Sequence, residues 1–249
     1  MSVYQTFEQN LKSIEKLINF DRHVLGMAID SVQKLHDLLT APPHNFDNER
    51  TNGKRTLEML KQIRTNDSLK LYYSTINNQA VVLLVSYFGS AIADLFREAA
   101  VAAVETHESG SVLNTEIKVK VKDLLEFESD DQHSIGNILI NKSDISFQDM
   151  KSIQREFKTY FDINIEKTDA VNNIILSQAC RHSIVHEAGI VNDRIINQVK
   201  SATPRDLKKS LVVGTTLEFS ENEIEIVASS MKTYVQELES DVSIYCNSV

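Results

Sequence analysis

An all-α fold is what this sequence predicts, and three observations predict it. The chain has only seven glycines and three prolines in 249 residues, too few for the many tight turns of an all-β protein. Apolar residues recur at three- and four-residue spacing along most of its length. Helix start and stop signals bracket several of those runs.

Taken in order, Phe7, Leu11, Ile14, Leu17 and Ile18 form a first helical stripe, and a run through Val24, Met27, Val32, Leu35 and Leu38 extends or follows it. Pro42-Pro43 ends helical structure. After a loop through residues 44–48, a short helix carries Leu57, Leu60 and Ile63 and stops at Thr65-Asn66-Asp67-Ser68. The long segment from Leu69 to about Glu105 places Leu84, Phe88, Ile92 and Phe96 on one side, with Val81, Val85 and Leu95 widening that face. Beyond Ser109-Gly110-Ser111, residues 112–127 are predicted to be helical and run into the acidic tract 126–131; residues 132–146 are polar and turn-rich. Ser146 and Asp149 have the spacing of a capping pair before a helix with Ile153, Phe157 and Phe161. Another helix starts at Thr168-Asp169 and stops at Gly189. A short helix over 194–202, an extended piece over 212–219 and a last helix opened by the Ser220/Glu223 capping box complete the chain; Ile226, Met231, Val235 and Leu238 mark the last helix. This divides the chain into an N-terminal helical extension, 1–68, and a helical domain, 69–249, able to pack as one unit.

The formal charge of −9 argues against a protein that coats nucleic acid non-specifically, which requires phosphate neutralisation. Charge is unevenly spread, however. Residues 181–210 hold six basic against three acidic side chains, whereas 217–241 hold seven acidic and one basic. Two cysteines, Cys180 and Cys246, make no disulfide framework and suit a reducing, cytoplasmic setting. The first residues lack a basic-then-apolar signal pattern. Residues 71–93 contain no charge, but Ser74, Asn77, Asn78, Gln79, Ser86 and Ser90 would be costly against lipid, so a central buried helix is expected there and no membrane partner.

The richest chemistry lies in Arg181-His182-Ser183-Ile184-Val185-His186. On a helix, Leu176, Cys180, Ile184 and Val191 share a core stripe. On the other side an apolar start at Val171, Ile174 and Ile175 gives way to Gln178, His182 and His186, which stack at four-residue intervals with Arg181 beside them. Arg181 and His186 lie about 140° apart around the helix axis. One copy therefore spreads the set, and a two-fold dimer could close it into a single cleft.

The hexapeptide fits an R-x4-6-H signature with a polar residue directly after the arginine, and in this it resembles the HEPN superfamily. The histidine after the arginine, the downstream Gly189-Ile190-Val191-Asn192 and the upstream helix ending in SYFGSAIADLF are similar to the RiboL-PSP type of HEPN domain. The likeness covers roughly 70–240 by element order, and its specific part is the hexapeptide with its flanks. It implies an HEPN-type helical bundle that forms a homodimer and acts as a metal-independent endoribonuclease, with no cofactor. Such an enzyme would be a toxin or phage-defence effector held in check by an antitoxin or other regulatory partner.

The residue types suit that reaction. Cleaving RNA without a metal requires a base for the 2′-OH, an acid for the leaving 5′-oxygen and positive charge on the phosphorane. Histidine serves the first two needs and arginine the third. On the implied reading His186 transfers protons, Arg181 binds phosphate, and His182 orients the phosphate or the catalytic groups. Gln178, Asn192 and Arg194 contact the substrate around them. Two other readings stand beside it. His182, His186 and Glu187 have a spacing zinc could use, but the H-E-x-x-H order and a third ligand are lacking. A non-catalytic helical module that binds RNA or a protein is the alternative to an enzyme, since fold does not fix function. Cys180 reads as a small core hydrophobe, and Ser183 lacks the turn of a hydrolase nucleophile.

Overall fold

The structure, a computed structural model, describes residues 1–41, 52–65, 70–105, 112–118, 134–143 and 145–248. Among these the protein is all-α: α1 (Val3–Ile18), α2 (Phe20–Thr40), α3 (Asn52–Thr65), α4 (Lys70–Glu105), α5 (Ser134–Lys142), α6 (Met150–Phe161), α7 (Asp169–His186), α8 (Asp193–Val199) and α9 (Glu221–Ser248). The only strand-like pairing among the described residues is an isolated bridge between Ile190 and Thr216.

α4 is the hub. Its apolar side chains cover more than one face, and it packs against α1, α5, α6, α7 and α9. Leu84, Phe88, Ile92, Leu95 and Phe96 are fully buried. Phe88 meets Phe7 of α1 and Tyr234 of α9, with ring centroids 6.5 and 5.4 Å away. About two turns further on, Phe96 is enclosed by Phe147, Phe157, Tyr160 and Phe161 at 5.0–5.7 Å. Edge-on aromatic packing of this kind adds to the burial of the rings. By length and composition Tyr73–Glu105 could cross a membrane, but half of its most apolar window is buried inside the protein. The polar residues near its start have protein partners: Asn77 donates to the Phe219 carbonyl, and Asn78 donates to that of Leu217 and accepts from the Phe219 amide.

The first helix belongs to the same core. A Ser2/Gln5 capping box opens α1, which buries Val3, Phe7 and Ile14. Its Tyr4 amide donates to Glu239 of α9, and its Glu8 accepts from Lys232 of the same helix. By contrast α2 packs mainly on α3, burying Ile29 and Leu57. The apolar run read along it is largely uncovered: Val24, Met27, Leu35 and Leu38 are exposed, with Phe20 at 67% and Leu38 at 69%. The periodicity is helical, yet the described structure supplies nothing to cover that stripe.

Three other expectations are corrected. Residues 112–114 form a turn and 115–118 run on without helix, because Ile117 and the valines that follow alternate with lysines at period two rather than 3.6; residues 119–127 and the acidic tract 126–131 lie outside the described residues. Within the segment read as turn-rich, α5 forms instead. Gly136 lets it approach α4 so closely that an added Cβ would stand 2.8 Å from the Arg97 Cα, and Asn137 accepts from Arg97 at 2.7 Å. Finally, the N-cap of α6 is Asp149, whose carboxylate accepts from the Ser152 amide; Ser146 accepts from Gln148 one turn too early to cap the helix. The Ser220/Glu223 box does open α9, through reciprocal bonds of 2.9 and 3.3 Å.

Candidate functional site

The site is built on α7, an unusual helix because it is buried nearly all round yet rich in polar residues. Thr168 caps its first turn by accepting from the Val171 amide. Asn172, Asn173, Ser177, Gln178 and Ser183 are all buried, and burial without partners would be costly. Each has one. Asn172 donates to the Pro204 carbonyl at 2.7 Å, and Asn173 donates to Ser230 Oγ and accepts from the Asp206 amide. Ser177 donates to the Asn173 carbonyl one turn back. Gln178 accepts from the Met150 amide at 3.0 Å, and Ser183 donates to the Ile190 carbonyl at 2.7 Å.

The end of α7 is equally defined. Gly189, at φ +72, donates its amide to the Ser183 carbonyl, the left-handed ending that glycine favours. The chain then returns beside residues 215–217: Val191 donates to Thr215 and Leu217 to Gly189. Asn192 caps α8 by accepting from the Ile195 amide, and its amide nitrogen donates to Glu187. Both ends of that side chain, expected to touch substrate, are engaged within the protein.

The predicted row of Gln178, His182 and His186 runs from inside to outside: the first is buried, the second half-buried, the third exposed. Leu176, Cys180 and Val191 are buried as the core stripe requires, and Ile184 is half-buried. Burial pushes the Cys180 thiol up to about 12, which makes it a poor nucleophile. The two imidazoles lie with centroids 4.8 Å apart, tilted by 47°.

Gln178, Arg181, His182 and Arg194 line one cleft of about 780 Å³. Its opposite wall comes from α4, where Ser86, Gly89, Ser90 and Ala93 are small, and from Phe147 to Lys151 at the start of α6. His186 is outside that wall. The structure thus brings Arg181, His182, Arg194 and Gln178 together, and leaves His186 next to His182 at the exposed helix end and Asn192 in a cap. Sequence reasoning missed Arg97 and Lys151, which also line the cleft; the small residues on an otherwise bulky α4 were the signal available for that wall.

Charges in the cleft are unequal. Asp94 pairs with Arg97 at 2.6 Å, and Asp149 is occupied capping α6. Among the described residues neither Arg181 nor Lys151 has an ion pair. Of the other cations in the basic stretch, Arg205 donates to the carbonyls of Val199, Ala202, Leu207 and Lys208, and Lys208 pairs with Glu223. Both are spent on holding the chain, so the local positive charge available for a ligand is narrower than the count of residues suggests.

Arg194 Nη1 lies 2.9 Å from His182 Nε2. Guanidinium only donates, so Nε2 must accept, and the ring proton belongs on Nδ1. Burial first, then the charge of Arg194 and the neighbouring His186, lowers the His182 pKa from its ordinary value. His182 is therefore held neutral in one tautomer. Among the described residues no group of three or more His, Cys, Asp or Glu could hold a metal ion.

Chemically the cleft can bind an anion through Arg181, Arg194 and Lys151, beside a neutral imidazole and a buried amide. No protein-family model, no curated protein and no solved structure matches this chain.

Proposed function

We propose that this protein is a metal-independent endoribonuclease of the HEPN kind, working as a homodimer. The observation that carries the reading is the convergence of Arg181, His182 and Arg194 on one cleft, with His186 stacked beside His182 at its edge. Arg181 binds the scissile phosphate and the charge that develops on it. A histidine takes the proton of the 2′-OH, the 2′-oxygen bonds to phosphorus, and the bond to the 5′-oxygen breaks as that oxygen is protonated. The products are a 2′,3′-cyclic phosphate and a free 5′-OH, with no metal or cofactor required. His186 is assigned to proton transfer because it is exposed and, among the described residues, no hydrogen bond fixes its ring. His182, held neutral by burial and by Arg194, orients the phosphate or the catalytic groups.

Arg181 and His186 point to different sides of α7, and a second copy meeting the exposed end of the helix would complete the set. Val185 and Ile190, both exposed beside His186, give such a contact apolar surface. A toxin or phage-defence role, with a partner restraining the activity, is consistent with unregulated RNA cutting being harmful. The alternative, a non-catalytic helical module binding RNA or another protein, is favoured by a different observation, the uncovered apolar stripe on α2.

The test is cleavage of labelled single-stranded RNA in EDTA by the parent protein and by an Arg181→Ala/His186→Ala variant. Cutting by the parent alone, leaving 2′,3′-cyclic phosphate ends, supports the enzyme. A folded dimer that cuts nothing in a broad RNA panel supports the binding module.

A further inference from the structure

Gln178 is 7% exposed and forms part of the cleft wall. Its Oε1 accepts from the Met150 amide. Because a backbone N–H can only donate, the amide cannot be flipped, and the NH2 end is fixed as the group left over. That Nε2 is buried and has no hydrogen-bond partner. Buried donors are rarely left so, and one on the wall of a cleft is a place where a ligand atom supplies what the protein does not.

We propose that the cleft between α4 and α7 is a nucleotide pocket that seats one base of a single-stranded RNA, with a small turn of the Gln178 side chain bringing its buried Nε2 to an acceptor on the base edge. This rests on the ribonuclease reading and names the part of the substrate that the cleft takes. Three features fit it. Part of the cleft lining is apolar, formed by Val85, Ala93, Phe147, Ile175 and Ala179, as a base face requires. Arg181 and His182 follow Gln178 by three and four residues, one helical turn, so the Cβ atoms that carry the phosphate-binding groups stand about 5–6 Å from that of the base-reading residue. That is the scale of the ribose between a base and its phosphate. The cleft volume of about 780 Å³ lies within the range of small-molecule sites and leaves room beside one nucleotide for the chain to continue. A single-stranded RNA is the form that can offer an unpaired base edge. Gln178 is here a specificity-determining residue, separate from the groups that move protons.

The experiment is calorimetric titration of the whole protein with the four ribonucleoside 5′-monophosphates, against ribose 5-phosphate, which keeps sugar and phosphate but lacks the base. At least one nucleotide is expected to bind tenfold or more tightly than ribose 5-phosphate. Gln178→Glu keeps an acceptor for the Met150 amide but removes the donor, and is expected to lower the nucleotide-to-ribose 5-phosphate affinity ratio at least tenfold. The ratio cancels any general effect of the new carboxyl on phosphate. Ser90→Trp, at an exposed position on the opposite wall, blocks the cleft without altering a buried group and is expected to remove the base-dependent part, so the proposal stays testable if the first variant misfolds. Equal binding of nucleotides and ribose 5-phosphate to the parent overturns it, as does a ratio unchanged in both variants. Base-dependent binding by a parent that cuts no RNA would keep the pocket and sink the ribonuclease. Cutting without base-dependent binding would sink the pocket alone.

Discussion

α7 and α2 break the ordinary inside-outside rule in opposite directions. α7 buries asparagines, serines and a glutamine, while α2 exposes a stripe of Phe20, Val24, Met27, Leu35 and Leu38. Each buried polar side chain of α7 has at least one named partner, on α6, α9 or the loop after α8 among others, with Gln178 Nε2 and Asn172 Oδ1 the atoms left over; the exposed apolar ones are matched by nothing described. Hydrogen bonds are directional, so the polar violation fixes one geometry, whereas an uncovered apolar face sets only a preference for being covered. Polarity where apolar residues belong marks a helix whose orientation matters. Apolarity where polar residues belong marks a surface that can be covered.

Substitutions can break this contrast, and the largest expected effect is on activity. If the proposed ribonuclease reading holds, Arg181→Ala should lower RNA cleavage about 100- to 1,000-fold, the usual loss when a group stabilising transition-state charge is removed. Its stability should shift by no more than about 0.5 kcal/mol, since Arg181 has no ion pair among the described residues; single-turnover cleavage and urea unfolding measure the two. On the buried side of α7 the outcome should invert. Asn173→Ala strips the Asp206 amide of its acceptor and is expected to cost about 1–3 kcal/mol in urea unfolding. A change of similar size is expected for Gly136→Ala, where the new methyl meets the Arg97 backbone.

A pH dependence separates the edge of α7 from its interior. Because the folded His182 pKa is lowered, the unfolded chain takes up a proton first as pH falls below about 6.5. Stability is then lost as pH drops from that value through the lowered folded one, and is fully kept above it. His182→Asn should flatten that part of a melting-temperature profile between pH 7 and 5. The smallest change is expected on the other helix: Leu35→Gln with Leu38→Gln should leave monomer stability within about 0.5 kcal/mol. A loss much larger than that would mean the stripe is covered after all, and the contrast with α7 would fail.

Where local signals and tertiary environment agreed, the sequence was legible. Thr168, Gly189 and the Ser220/Glu223 pair delimited helices because capping is chemistry within one turn. The central burial of α4 followed from a face too broad for a surface helix. α5 was hidden because Gly136 and Asn137 look like turn residues, and what holds them in a helix is Arg97, far away in sequence. The stripe on α2 showed its period but not its exposure, since periodicity says which residues share a face and nothing about what covers it. In the site, the row of Gln178, His182 and His186 was visible from spacing alone. The cleft was not, because its other wall is α4 and the start of α6, and the locking of His182 by Arg194 depends on the turn between α7 and α8.

The bonds that hold α7 also bear on how a ligand would be received. Asn172 and Ser183 on one side of the helix, Asn173 on a second and Gln178 on a third all reach partners, so turning the helix about its axis would break all of them at once. Its azimuth is fixed before anything binds, and only the side-chain torsions of Gln178, Arg181, His182 and Arg194 remain to adjust. Recognition at this cleft should then resemble a key entering a finished lock: association limited by encounter, little ordering entropy lost, and free and bound backbones that superimpose.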